Sequence, residues 1–207
     1  MKSTIVDTWA AGRGALNAWL SIPSTVTAEL AGKQDFDSVT VDLQHGLNDY
    51  TSALPMLQAL ATSNATAMAR VPWLEPGIIM KLLDAGALGL ICPMVNSREE
   101  AEALVRYSNY PPKGERSFGP TRAVVHYGAD YFEHANDTVV TLAMVETERA
   151  LSQLDDIVKT KGLTGVYIGP SDLRLSMGYQ PKLDQEEPAV VAAIHKILET
   201  AKNAGLR

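Results

Sequence analysis

Short apolar runs alternate along the chain with longer segments of helical spacing. Leu16 to Ile22 is the first run, and Thr25 to Gly32 reads as a helix stopped by glycine. Ser38 to Leu43 (SVTVDL) is rich in β-branched residues, which suits a buried strand. Asn48 or Asp49 can cap the next helix, whose apolar residues are Leu54, Leu57 and Leu60. Ala65 to Val71 predicts a third strand, and Ile78 to Leu83 a helix ended by Gly86. Ala87 to Val95 carries a fourth strand, and Ser97 caps a helix with Glu99 and Glu100 in its first turn. Thr138 to Val145 and Gly165 to Ile168 predict strands five and six. A last helix runs from about Pro188 to Ala204, stopped by Gly205.

Strand-then-helix units imply a parallel sheet, because parallel strands need long crossovers. An open doubly wound sheet and a (β/α)8 barrel both satisfy this pattern, and both gather functional residues at the carboxyl ends of strands. Asp42, Gln44 and His45 follow strand two, and Arg70 ends strand three. Pro93 and Met94 end strand four, Glu146 follows strand five, and Gly169, Pro170, Ser171 and Asp172 follow strand six. No Gly-x-Gly-x-x-Gly or P-loop follows the first strand, which weighs against a nucleotide fold.

Composition narrows the class. The 207 residues suit one domain, 1–207, and the 46% apolar share is ample for a core. A net charge of −6 argues against nucleic-acid binding, which concentrates Lys and Arg. It leaves a small anionic substrate open, since one local arginine suffices. A single cysteine, Cys92, excludes an internal disulfide and fits a reducing cytosol; it reads as a buried small residue. The run Ala85 to Val95 is too short for a bilayer, and Asp7 and Arg13 interrupt the N-terminal apolar stretch. The expectation is a cytoplasmic protein without a membrane partner.

Each strand-end residue has a functional and a plain structural reading. Glu146 and Asp172 are carboxylates that could ligate a hard divalent cation, or form an ion pair; Asp172 could also be only a helix cap. His45 is a general base or a packed histidine. Arg70 at the end of a buried strand needs an anion, either a neighbouring carboxylate or a carboxylate substrate. Asp84 reads as a surface or capping residue beside Gly86. His126, His134 and His195 read as structural. The segment Tyr110 to Arg122 (YPPKGERSFGPTR) is either a solvated loop or a place where Arg116 and Arg122 meet an anionic group or a neighbouring subunit.

Taken together, VDLQHG at His45, ARVPW at Arg70, KLLDAGALGLICPMV at Asp84, YPPKGERSFGPTRA, MVETERA at Glu146 and GVYIGPSDL at Asp172 resemble the HpcH/HpaI aldolase family. These are class II, metal-dependent pyruvate aldolases related to citrate lyase β subunits and macrophomate synthase. The match runs from Trp19 to Gly205. The resemblance implies a (β/α)8 TIM barrel, a homo-oligomer (a hexamer of paired trimers), and a divalent metal ion, Mg²⁺, Mn²⁺ or Co²⁺, held by Glu146 and Asp172. It implies that Arg70 binds the keto-acid oxygen and steadies the enolate. It pairs His45 with Asp84 as a His–Asp dyad, assigns the substrate carboxylate to the Gly169-Pro170-Ser171 backbone, and sets Trp19 near the mouth. The partners would be a small 2-keto acid and an aldehyde, cleaved from or joined into a 4-hydroxy-2-keto acid.

Three features depart from the family pattern. Met144 replaces a frequent glutamine, Gln44 replaces an acidic residue of some members, and the last two strand–helix units are absent by count. Two alternatives follow: a CoA-ester lyase of the citrate or malyl-CoA type, for which no basic aromatic surface stands out, and a non-catalytic truncated paralogue.

Overall fold

The computed structural model describes residues 3–207. Its elements, in order, are α1 (Thr4–Ala10), β1 (Asn17–Leu20), α2 (Thr25–Gly32), β2 (Ser38–Asp42), α3 (Tyr50–Leu60), β3 (Thr66–Arg70), α4 (Pro76–Asp84), β4 (Gly89–Cys92) and α5 (Arg98–Ser108). There follow α6 (Thr121–Tyr127), α7 (Tyr131–Thr138), β5 (Val140–Val145), α8 (Glu148–Ser152), α9 (Leu154–Ile157), β6 (Gly165–Ile168), α10 (Pro170–Ser176) and α11 (Pro188–Asn203). The strands hydrogen-bond in sequence order, β1-β2-β3-β4-β5-β6. The expected α/β class with a parallel sheet is present, with six strands among the described residues rather than the eight of a complete barrel. None of the described helices is long and apolar enough to cross a membrane.

The chain divides into two compact units at β4. One comprises the residues up to Leu90 with Arg106–Val140; the other comprises Ile91–Val105 with Thr141–Arg207.

In the first unit β1, β2 and β3 pair in parallel, with Asn17 opposite Ser38 and Asp42 opposite Arg70. Every residue of β2 is buried, including Ser38 and Thr40. Their hydroxyls would be costly there without partners. Both donate to Asn17 Oδ1, at 2.8 and 2.9 Å. Asp49, rather than Asn48, caps α3, and Ser52 completes a capping box. Asn48 instead donates its side-chain amide to Leu20 O and Asp42 O, which ties down the turn after β2. Pro76 starts α4 two residues before the predicted start, because Glu75 accepts from the Gly77 and Ile78 N–H groups. Ile79, Leu82 and Leu83 bury one face of α4, the i, i+3, i+4 spacing of an amphipathic helix.

In the second unit β5 pairs in parallel with β6, Val145 opposite Ile168. All six residues of β5 are buried. Helix α11 packs on β6 and α10, burying Val190, Ala193, Ile197 and Ala201. Gly205, at φ 77°, turns the chain out of the helix. Arg207 then pairs with β6: its N–H donates to Thr164 O at 3.2 Å and its carbonyl accepts from Val166 N at 2.8 Å.

Candidate active site

Parallel register brings Asp42 and Arg70, the last residues of β2 and β3, side by side. Arg70 forks onto the carboxylate, Nε to Oδ1 at 2.8 Å and Nη2 to Oδ2 at 2.6 Å. The two side chains are 12% and 2% exposed, so the pair is largely removed from water. Trp19 on β1 donates Nε1 to Asp42 Oδ2 at 3.3 Å, and the Arg70 guanidinium lies 4.8 Å from its ring centroid. The chain turns back over the pair. The main-chain N–H groups of Gln44 and His45 donate to Oδ1 at 3.0 and 3.3 Å. Gly46 permits this turn, because a Cβ there would sit 2.2 Å from Asp42 O. Burial opposes ionisation of Asp42, yet the bonds and charge of Arg70, with the Gln44 N–H and Trp19, hold its carboxyl below the usual range. Of the two anions open to Arg70 in the sequence, the structure supplies a neighbouring carboxylate. In the sequence Asp42 is one polar residue at a strand end, with nothing local to mark it as part of a site. The only sequence signal is that two adjacent strands end in opposite charges, and it acquires meaning only with the register.

His45 is exposed on the loop after β2. Asp84 closes α4, which runs back from the carboxyl end of β3 toward the start of β4. Its recorded partner is Arg116, with Nη2 2.7 Å from Oδ1, and no hydrogen bond between Asp84 and His45 is among those of the described residues. Burial raises the Asp84 carboxyl above the aspartate range, and Arg116 opposes that rise. Arg116 is fully buried. Its Nη1 donates to Tyr131 Oη at 3.0 Å, and its guanidinium lies 4.4 Å from the Tyr110 ring and 5.5 Å from that of Tyr131. Arg122 donates to the carbonyls of Ala85 and Leu57. The solvated-loop reading of the segment Tyr110 to Arg122 therefore fails for these two arginines. Arg116 is drawn to the Asp84 carboxylate that ends α4, and Arg122 to the carbonyls of Ala85 and Leu57, pairings the sequence does not display.

In the second unit, Glu146 follows β5 and is 1% exposed. Its Oε1 accepts from the Met94 N–H at 2.7 Å. Gly169 lies against the same carboxylate: a Cβ there would come 2.1 Å from Oε2. Gly169 holds the N-cap position of α10, Pro170 opens the helix, and Asp172 lies in its first turn. Asp172 is therefore not the cap, and it is exposed. The Ser171 hydroxyl donates to Lys182 O at 3.1 Å. Glu146 and Asp172 are hard oxygen donors, and Glu146 Oε2 takes up the space a Cβ at Gly169 would fill. Among the described residues no three His, Cys, Asp or Glu side chains gather as a metal cluster. Two carboxylates with the remaining positions left to water and substrate fit Mg²⁺ or Mn²⁺ better than a soft or fully enclosed ion.

Cys92 is buried, and burial with the nearby Glu100 and Glu146 charges pushes its thiol up to about 12, so it is no nucleophile at neutral pH. His126 and His134 lie on α6 and α7, and His195 on α11. His134 Nε2 lies 3.3 Å from Asp130 in an exposed pair.

The HpcH/HpaI aldolase/citrate lyase family profile matches residues 16–207. The chain is 46% identical over 199 residues to a hydroxypyruvate/pyruvate aldolase of Rhizorhabdus wittichii, covering 96% of this chain and 79% of the relative. It is 36% identical over 211 residues to a 4-hydroxy-2-oxo-heptane-1,7-dioate aldolase of Klebsiella pneumoniae, covering all of this chain and 80% of the relative. A crystal structure of an HpcH/HpaI aldolase/citrate lyase family protein from Burkholderia cenocepacia J2315 superposes with a TM-score of 0.91 at 29% identity, covering 99% of this chain and 82% of that one. Sequence and fold agree: the chain belongs to the HpcH/HpaI aldolase/citrate lyase family.

Proposed function

We propose that this chain is a divalent-metal pyruvate aldolase that cleaves a 4-hydroxy-2-keto acid to pyruvate and an aldehyde, or joins the two. The observation that carries this reading is Arg70, a largely buried cation at the carboxyl edge of the sheet whose Nε and Nη2 are already fixed by Asp42. A guanidinium so anchored presents its remaining Nη1 edge to an incoming oxygen without reorganising, which is what stabilisation of developing negative charge requires. The aldolase names of relatives at 36 and 46% identity support the same chemistry.

In this reading the Arg70 guanidinium binds the keto oxygen and holds the negative charge that collects there as the C3–C4 bond breaks. His45 takes the proton of the 4-hydroxyl, directly or through water. The main chain of Gly169, Pro170 and Ser171 receives the substrate carboxylate, and Trp19 closes the mouth. Glu146 and Asp172 hold the cation, for which Mg²⁺, Mn²⁺ and Co²⁺ all suit. When bound, it supplies Lewis-acid polarisation of the keto acid. Asp84 is already paired with Arg116, so in this reading the His45–Asp84 dyad draws its Asp84 from a second copy, in line with a homo-oligomer. The fold that goes with this function is a (β/α)8 barrel of which the chain contributes six units. The pairing of Arg207 along the outer edge of β6 is what a following parallel strand would do. A small-molecule enzyme with one buried thiol fits the cytoplasm.

The test needs no knowledge of the aldehyde. The chain is incubated with pyruvate and Mn²⁺ in D₂O, the metal is removed, and loss of the methyl proton signal is followed by NMR. Metal-dependent exchange, slowed at least about 100-fold in Arg70→Ala by loss of a charge-stabilising donor and abolished by EDTA, is expected. A folded chain that shows no exchange overturns the reading.

A further inference from the structure

A cavity of about 180 Å³ opens in the first unit between the end of α3, the starts of β3 and β4, and the end of α6. It sits at the amino ends of these strands, and Arg70 is at the opposite end of β3. Leu57, Leu60 and Leu88, each no more than 2% exposed, form its apolar wall. Tyr127 also lines it and donates its hydroxyl to Gly86 O at 2.8 Å. Asn64 and His126 are exposed at the rim. Among the described residues neither side chain makes a hydrogen bond, and the His126 ring packs on Tyr127 with centroids 4.2 Å apart. Each therefore has an N–H donor to offer.

The electrostatics of this cavity are one-sided. No described Asp or Glu lines it. Arg122 lies against it: a Cβ on Gly86, one of the lining residues, would come 2.2 Å from Arg122 Nη1. The guanidinium donates to Ala85 O and Leu57 O, and it takes part in no ion pair among the described residues. Carbonyl oxygens satisfy its N–H groups but leave its unit charge in place. Burial pulls the guanidinium below its ordinary value, and burial together with the Arg122 charge does the same to the His126 imidazole. A desolvated cation of this kind calls for an anion, and the described part of the chain supplies no carboxylate.

We propose that this cavity binds a small aliphatic monocarboxylate, its carboxylate received by Asn64 and His126 in the field of Arg122 and its short chain laid on Leu57, Leu60 and Leu88. Size excludes larger ligands, because pockets for drug-sized molecules begin at about 300 Å³. An inorganic anion would leave the leucine wall uncovered, and a neutral amphiphile would leave the charge unanswered. Pyruvate, a product in the aldolase reading, is in this class, but the site is independent of that reaction and of its metal.

The experiment follows the His126 Cε1–H signal of the full chain by two-dimensional NMR, with EDTA present. The signal is assigned by its loss in His126→Gln. Propionate, which has no 2-keto group to chelate a metal, is titrated at constant ionic strength. Propionamide, its neutral counterpart, and inorganic phosphate are titrated in parallel. Propionate is expected to move the signal saturably and to raise the His126 pKa, whereas propionamide does neither. Ala61→Leu, which fills the cavity from its half-buried wall, is expected to lose the response. Should that variant not fold, Ala65→Val is read in its place. No saturable shift with propionate, or an equal shift with propionamide, overturns the inference. A response to phosphate as strong as that to propionate also overturns it, and assigns the site to inorganic anions. So does a response that survives in the folded cavity-filling variant. Because metal is absent throughout, none of these outcomes bears on the pyruvate aldolase reading.

Discussion

Asp42 gathers five donors on two oxygens: Nε and Nη2 of Arg70, the Trp19 indole, and the main-chain N–H groups of Gln44 and His45. That arrangement sets the sign of a pH effect. Burial alone would raise the carboxyl, but Arg70 and the N–H groups lower it below its unfolded value, so the folded state binds the proton less readily. The stabilisation is full above the ordinary aspartate value of about 3.9 and is lost as pH falls through the folded value. Urea unfolding from pH 6 to 3 should show wild-type stability dropping at the acid end. Asp42→Asn should be less stable at pH 6 by about 3 kcal/mol, because Arg70 is left without its anion, and flatter toward acid. Curves that fall in parallel would exclude this role. None of it was open to residue reading alone. Arg70 announced a need for an anion, whereas Asp42 looked like one more polar strand end until register put it opposite.

The elements divide by length. Strand β6 and helices α2 and α11 match the sequence pattern within a residue, since each has a glycine or proline at its boundary. The apolar runs at Leu16 and Ala87 are longer than the strands they contain, Asn17–Leu20 and Gly89–Cys92. Apolar composition reports burial, and burial continues past the last ladder bond. Helices α1, α6, α7 and α9 escaped the reading because about two turns or fewer display a 3.6-residue period poorly, whereas α2, of similar length, is legible from the glycine that stops it. The junction of β6 and α10 yields its own prediction. Gly169→Ala would place a methyl 2.1 Å from Glu146 Oε2 and 2.7 Å from its Cβ. The expected result is a folded protein destabilised by about 1–3 kcal/mol, from overpacking, with Mn²⁺ binding lost. Unchanged Mn²⁺ affinity would show that the carboxylate does not need this gap.

For the molecule as a whole, a bound cation links activity to stability. If Glu146 and Asp172 hold the ion only in the folded state, the melting temperature rises with Mn²⁺. The gain is about 2.7 kcal/mol at a hundredfold excess over Kd. Scanning calorimetry with EDTA and with graded Mn²⁺ reads this directly, and a melting temperature indifferent to Mn²⁺ would exclude it. At this scale the sequence by itself determined the α/β class, the six strands and the strand ends where polar residues collect. Those features follow from local periodicity and from crossovers that force parallel pairing. It also carried the family, through six motifs in order. Tertiary structure alone decided that Arg70 meets Asp42, that Arg116 is buried between two tyrosines beside Asp84, and that Met94 adopts a left-handed backbone against Glu146. Each is a pairing between residues far apart in the chain, or a strain held by one. No local pattern encodes such contacts, because register and packing choose the partner only after the elements have formed.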